Sequence, residues 1–313
     1  MKTKVAKFLK IAIQYFWLID FSLLQIYRLG QSMISQKNQQ KFVGAILILA
    51  LLFCFSSDKV YAKNNNHVNS SNFGQPGIID LPSARRFPDG ELIVTQQLHK
   101  SLARSGLSFQ ALPRLGFSFR YTGHGVGGGE AYGRINHDRS FDAHFSVFDE
   151  GKFLPAISLG LRDFIGTGWY SSEYIVGSKS VGKLDITAGL GFGRLAGRNP
   201  SANPFGKLFP QFKTRGTNNV GKGGTLGNIN WFQGDVSVFY GLKYRLGEKI
   251  VLLSEYTSDT MIREGSYLDI KEPWNLGLKY IFNDYISLDL QHLHGSQISL
   301  TAQVAVNPSR PPL

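Results

Sequence analysis

Sulfur is scarce in this 313-residue chain: it has three methionines and one cysteine, Cys54. Cys54 sits in an apolar run near the N-terminus, so no disulfide can staple the remainder of the chain, and stability must come from packing or from closure of a hydrogen-bonded ladder. Charge is sparse too, at 18% of residues against about 25% in ordinary soluble domains. No sustained helical stripe occurs after residue 62, which excludes a helical reading of that part. The chain is rich in glycine and phenylalanine, 35 and 23 residues respectively. That profile leans towards sheet, glycine-rich turns and an apolar exterior.

Residues 1–62 read as a signal or targeting segment. Lys37 and Lys41 precede the apolar stretch Phe42 to Phe55, and the following SSDKVYA ends at Ala62 with a loose small-x-small pattern. Residues 33–62 alone make a signal of ordinary size, so Met33 is the expected true start. The earlier run IAIQYFWLIDFSLLQIY is broken by Gln14, Asp20 and Gln25 and would be costly as a spanning helix; a genuine N-terminal membrane helix is the competing reading. Leu-Leu-Phe before Cys54 lacks the small residue of a bacterial lipoprotein signal, which argues against a lipid anchor. The leader holds eight basic and two acidic residues, leaving 26 against 20 and a charge of +6. An anionic partner is permitted, not demanded, and no nucleic-acid partner is expected.

Period two dominates the remainder. In LDITAGLGF, Leu184, Ile186, Ala188, Leu190 and Phe192 oppose Asp185, Thr187, Gly189 and Gly191. From Val236 to Leu246 an apolar parity opposes Ser237, Phe239, Gly241, Lys243 and Arg245, and from Trp274 to Phe282 another opposes Asn275, Gly277, Lys279 and one exception, Ile281. Weaker alternation marks five further segments, and about twelve strands are expected. Connections after even-numbered strands are short and those after odd-numbered ones are mostly longer, including His99 to Gly106 and Gly193 to Gly234. Such asymmetry distinguishes an outer-membrane barrel from a soluble sandwich. The expected fold is therefore all-β, a transmembrane antiparallel barrel of about twelve strands over residues 90–305. Residues 63–89 are expected to be a periplasmic segment before it, and 306–313 a proline-rich tail. Trp169, Tyr170, Tyr244, Trp274 and Phe282 are candidates for the interfacial aromatic girdles.

GLRDFIGTGWYSSEYIVGSK, residues 160–179, places Arg162, Asp163 and Glu173 in apolar surroundings. In a barrel, Arg162, Glu173 and Lys179 are expected to face a wet lumen, with Leu159, Leu161, Tyr174 and Val176 towards lipid, so that no charge is left in hydrocarbon. Arg162 and Glu173 flank one hairpin loop and are expected to pair across it in a structural role.

NFGQPGIIDLPSARRFPDGEL, then FRYTG, then DEGKFLPAISLGLRDFIGTGWYSSEYIVGSK and ITAGLGFGRLAGR, resemble the YjbH family of bacterial outer-membrane proteins associated with exopolysaccharide production. The resemblance runs in order from about Asn72 to Val306. It implies an outer-membrane β-barrel working beside a polysaccharide export system. On it, Pro82, Ala84, Arg85, Pro88 and Gly90 carry an N-terminal motif. Gly160, Arg162, Asp163, Gly166, Thr167, Gly168 and Glu173 carry a hairpin motif. Members of that family are commonly longer, and the closing NPSRPPL is similar to a linker, so a shortened member lacking the C-terminal part is expected.

The segment from Gly193 to Gly234 carries Arg194, Arg198, Lys207, Lys213, Arg215 and Lys222 without one Asp or Glu, interleaved with Phe205, Phe209, Phe212, Trp231 and Phe232. Cations attract an acidic polymer and aromatic faces stack on sugar rings, so a basic, glycan-facing constriction is one expectation. A solvated loop whose cations meet water or lipopolysaccharide phosphate is the other.

The glycines at 125–129 lack the GK[ST] ending of a phosphate loop. His292 and His294 are expected on one side of a strand end, at a rim, without a metal. Asp142 and His144 share a strand face, but no recognisable nucleophile motif accompanies them. The expected function is assistance in producing or exporting an extracellular polysaccharide, non-catalytic and without cofactor, in the outer membrane of a Gram-negative bacterium after cleavage of the signal. Expected partners are outer-membrane lipid, lipopolysaccharide, an anionic polysaccharide and the export machinery. A general diffusion porin is the nearer alternative, and a barrel-embedded polysaccharide-modifying enzyme the remoter one.

Overall fold

A computed structural model describes residues 69–99, 101–124, 136–216, 225–226, 230–262, 264 and 268–307. The signal segment 1–62, the glycines at 125–129, Lys222 and residues 308–313 of the tail lie outside the described residues.

Among the described residues thirteen strands follow one another: β1 (Leu92–His99), β2 (Leu102–Leu112), β3 (Leu115–His124), β4 (Asn136–Phe148), β5 (Ala156–Gly166), β6 (Ser172–Val181), β7 (Leu184–Gly193), β8 (Thr225–Leu226), β9 (Val236–Arg245), β10 (Ile250–Tyr256), β11 (Trp274–Ile281), β12 (Ile286–Leu293) and β13 (Gln297–Val306). Each wall strand pairs antiparallel with its neighbours, β1 with both β2 and β13, and β4 with both β3 and β5. Twelve strands thus close into a barrel, and β8 adds to the end of β5. Closure pairs the ladder groups with one another, the condition for crossing lipid with strands.

The two faces follow the alternation. Val94, Leu107, Phe117, Phe145, Val238, Leu276, Leu290 and Leu300 lie exposed on the outside and form the lipid-facing wall of a transmembrane barrel. Thr95, Ser108, Asp142, Ser158, Asn275, Asp289, Gln291 and Thr301 point inward and are buried. A water-filled lumen would leave them wet. They are dry because residues 69–84, all buried, occupy the barrel interior.

That placement corrects the expectation of a periplasmic segment at 63–89 for its residues 69–84. The facing of β6 also differs from expectation. Ser158 pairs with Val176 and Gly160 with Tyr174, so Tyr174 and Val176 point into the lumen, whereas Glu173 pairs with the outward Leu161. The apolar parity of β6 turns inward because it meets apolar residues there, Leu81 and Ala84. The connection expected from His99 to Gly106 is a tight turn, since β1 ends at His99 and β2 begins at Leu102. Tyr170 is buried at 1% exposure and belongs to the interior, not to a girdle. Trp274 does join an aromatic group, with Tyr240 and Tyr256.

Candidate functional site

The feature of the barrel with most chemistry is its filled lumen. Residues 69–84 fold back on themselves through isolated bridges, Ser70 to Pro76 and Gly77 to Pro82. Wall side chains supply the hydrogen bonds that a short irregular segment cannot make by itself. Glu255 on β10 accepts the backbone N–H groups of Ile79 at 2.9 Å, Asp80 at 2.8 Å and Leu81 at 3.0 Å, and the Asn275 amide at 2.9 Å. Asn72 donates to Asp80 and Gln291, both at 2.9 Å, and accepts from Thr301 at 2.8 Å. Gln303 donates to the Ser70 carbonyl at 2.8 Å.

Apolar contacts complete the fit. Ile78 and Ile79 pack with Val251, Leu253 and Leu293, and Leu81 and Ala84 pack with Tyr174, Val176 and Phe239. Two inward glycines make room: a Cβ on Gly241 would stand 2.6 Å from Ile78 Cδ1, and one on Gly277 3.3 Å from Ile79 Cδ1. Phe73 is held by cations, with the guanidinium carbons of Arg104, Arg120 and Arg162 at 4.2, 4.6 and 4.3 Å from its ring centre. Tyr170 meets the same ring edge-on at 5.3 Å.

The hairpin residues serve this plug. Between Phe141 and Ala143 of β4, β5 advances from Ile165 to Leu161, and Asp163 takes a left-handed φ of 50°. This bulge turns both Arg162 and Asp163 into the interior. Arg162 donates to Gln75 Oε1 at 2.9 Å and to the Asp80 carbonyl at 2.7 Å. Asp163 accepts the Tyr170 N–H at 2.9 Å and gives its own N–H to Asp142, which pairs with Arg120 at 2.7 Å. Gly166 is crowded by the Arg139 carbonyl, 2.4 Å from an added Cβ, and Gly168 takes a φ of 77°. The expected Arg162–Glu173 pair does not form, because β6 sends Glu173 outward.

The N-terminal motif anchors the plug at the rim of short turns. Arg85 bridges Glu150 at 2.5 Å and Asp185 at 2.6 Å. Burial lowers its pKa, but those carboxylates outweigh burial and hold it above its ordinary value. Ala84 donates to Ser178, Pro82 sits in the bridge to Gly77, the Pro88 carbonyl accepts Glu91 N–H, and Gly90, at φ 74°, turns the chain into β1. His144 lies against this motif, with Nε2 2.9 Å from the Arg85 carbonyl and Nδ1 2.9 Å from Tyr174 Oη. A carbonyl only accepts, so Nε2 carries the proton and the tyrosine donates to Nδ1. His144 and Asp142 are thus each engaged by hydrogen bonds inside the barrel, His144 with the Arg85 carbonyl and Tyr174, Asp142 with Arg120 and the Asp163 N–H. His292 and His294 separate: His292 is exposed, and His294 leaves the strand alternation at a φ of 54° and is buried.

The basic segment divides. Arg194 lies over the Tyr170 ring at 4.3 Å and bridges Asp259 at 2.6 Å and Glu264 at 2.7 Å. Arg215 grips Glu173 through two contacts, 2.6 and 2.9 Å. Arg198 is half-buried, and its N–H bonds the Ser258 carbonyl. Lys207 and Lys213 are exposed. These positions do not make a constriction of six free cations, because Arg194 and Arg215 are neutralised by acids far away in sequence. Sequence reasoning missed Glu255, Asn72, Phe73 and Asn275. Their partners lie up to 229 residues away, beyond any local pattern.

A family profile matches residues 69–313, under the description "Exopolysaccharide biosynthesis protein YbjH". A curated relative, "Uncharacterized lipoprotein YjbH" of Escherichia coli (strain K12), is 27% identical over 256 residues, which are 78% of this chain and 36% of that protein. The chain thus spans about a third of the length of that relative. Among solved structures, a KdgM porin aligns with a TM-score of 0.37 and 10% identity, over 69% of this chain and 97% of that one. The COG4313 outer membrane channel from Pseudomonas putida F1 aligns at 0.40 and 12%, over 72% and 99%. Those two likenesses are too distant to carry function. The family match covers every strand and both sequence motifs, and the chain belongs to the YjbH family of exopolysaccharide biosynthesis proteins.

Proposed function

We propose that this chain is a non-catalytic outer-membrane barrel that assists the production or export of an extracellular polysaccharide without carrying the polymer through its own lumen. The observation behind this reading is the plug: residues 69–84 fill the interior and are hydrogen-bonded to β5, β10, β12 and β13. A polymer path would require a wide, hydrated lumen, whereas here the inward side chains are buried against the plug. The family supports the link to polysaccharide. The role is that of a scaffold beside the export machinery. Its leader, residues 1–62, acts as a cleaved export signal. Mass spectrometry of the purified product is expected to find Lys63 at its N-terminus.

The test pairs two measurements on the full chain. Purified protein in planar bilayers is expected to show no steady open-pore conductance, and cells lacking the chain are expected to secrete less polysaccharide. Steady conductance with unaltered secretion would replace this reading by that of a diffusion porin.

A further inference from the structure

The loop after β7 leaves the barrel mouth and folds over the outside of the wall. Glu173 on β6, Phe192 on β7 and Val236 on β9 are paired across the sheet and share the lipid-facing parity with Leu161 and Val238. Yet they are 1, 0 and 3% exposed. The loop covers them: Arg215 takes the Glu173 carboxylate, Phe205 and Phe232 pack on Phe192, and Ser201 bridges to Val236. One row further down the same wall, Val238 is 55% exposed and Tyr240 39%, so the apolar belt resumes directly beneath the loop.

The outer surface of this cover is amphipathic. Leu208 is 75% and Phe209 51% exposed, next to the exposed Lys207 and Lys213. Lys213 packs against Gly206, where an added Cβ would meet its Cγ at 2.9 Å, which puts the two lysines on adjoining backbone. No acidic residue occurs between Gly193 and Gly234. Large apolar side chains beside lysines, at the upper edge of a lipid-facing wall, match the chemistry of an anionic membrane interface.

We propose that residues 203–213 rest in the outer leaflet, with Leu208 and Phe209 in the acyl layer and Lys207 and Lys213 on the phosphates of lipid A. This rests on the outer-membrane reading of the barrel but not on any role in polysaccharide production. The loop thereby fixes the height and rotation of the barrel in a lipopolysaccharide leaflet, and a free acidic glycan is not its ligand.

The experiment uses full chain with Cys54→Ser, an environment-sensitive dye at Gln211→Cys, and reconstitution in phosphatidylcholine nanodiscs with or without diphosphorylated lipid A. Lipid A is expected to shift the dye emission to the blue, and lipid A stripped of phosphate is expected to do so far less. The Lys207→Gln, Lys213→Gln double variant should weaken the apparent affinity for lipid A by roughly thirtyfold. Leu208→Ser with Phe209→Ser should abolish the shift. Equal shifts for phosphorylated and stripped lipid A, or preference for soluble polygalacturonate over lipid A, would overturn the assignment. The wild-type comparison of the two lipids decides the matter even if a variant fails the heat-modifiable mobility check of folding.

Discussion

The carboxylate of Glu255 accepts the backbone N–H of Ile79 at 2.9 Å, across 176 residues of sequence. With Asp80 and Leu81 donating beside it, one side chain of the wall satisfies three consecutive amides of the plug. A carboxylate is suited to this because it only accepts, and charge-assisted bonds to N–H groups are stronger than neutral ones.

Glu255→Ala should therefore be among the costliest substitutions in the barrel. It leaves three buried N–H groups and the Asn275 amide without that acceptor, at about 1 to 3 kcal/mol for each unsatisfied group. The expected result is a loss of at least about 3 kcal/mol, read as a lower temperature of the heat-modifiable mobility transition. Glu255→Gln, which keeps one oxygen acceptor, should lose less.

Gly241 and Gly177 make a matched pair. A Cβ at Gly241 would stand 2.6 Å from Ile78 Cδ1 and 2.7 Å from the Ser254 carbonyl, and backbone cannot yield as a side chain can. Gly241→Ala should cost about 1 to 3 kcal/mol by overpacking. Gly177→Ala, whose nearest neighbour would be Ile157 Cδ1 at 3.4 Å, should fall within about 0.5 kcal/mol of wild type in the same assay.

Arg215 and Lys207 are both cations of one loop and should behave oppositely. Arg215 is paired with Glu173, whose side chain is only 2% exposed, and Arg215→Ala strands that carboxylate at a cost of about 3 to 5 kcal/mol. Lys207→Ala should leave stability within about 0.5 kcal/mol of wild type. Limited proteolysis of the loop checks both: accelerated cleavage for the first variant, unchanged cleavage for the second.

Acid should loosen the cap that Arg194 makes with Glu264. Burial alone would raise the Glu264 pKa, but the Arg194 guanidinium outweighs it and holds the carboxyl below its ordinary value of 4.5. A depressed folded pKa contributes stability above the unfolded pKa, and that contribution is lost as pH falls through the folded one. Protease resistance of the segment around residue 264 is expected to stay constant from neutrality to about 5 and to decline below the ordinary range of a glutamate. Arg194→Gln should flatten that decline.

Much of the wall is legible from alternation. The faces of β7, β9 and β11 follow the parities of Leu184, Val236 and Trp274, and the strand number follows from the same pattern. The plug is not legible, since Asn72 to Ala84 reads as loop and its stability resides in wall residues such as Glu255 and Gln291. Two apolar residues on wet parities, Phe239 and Ile281, hint at it: Phe239 shares a buried cluster with Leu81 and Ala84, and Ile281 packs against the cluster of Ile78, Ile79, Val251, Leu253 and Leu293. The facing of β6 escapes the alternation for a related reason. Its charges, Glu173 and Lys179, lie at the two ends of the strand where the rims supply partners, and its middle obeys the plug. In the basic loop, composition shows the cations but not the acids Asp259, Glu264 and Glu173 that neutralise two of them.

Thiol accessibility of Ser71 tests the filled lumen most directly. Ser71 is 0% exposed, and Ser71→Cys changes the side chain little. In a Cys54→Ser background, the folded, membrane-inserted barrel is expected to leave the thiol at position 71 unlabelled by a bulky, membrane-impermeant maleimide until heat unfolds it, while Thr214→Cys on the exposed loop reacts at once. Rapid labelling at position 71 in the folded barrel would mean that the segment does not occupy the lumen, and would contradict the account.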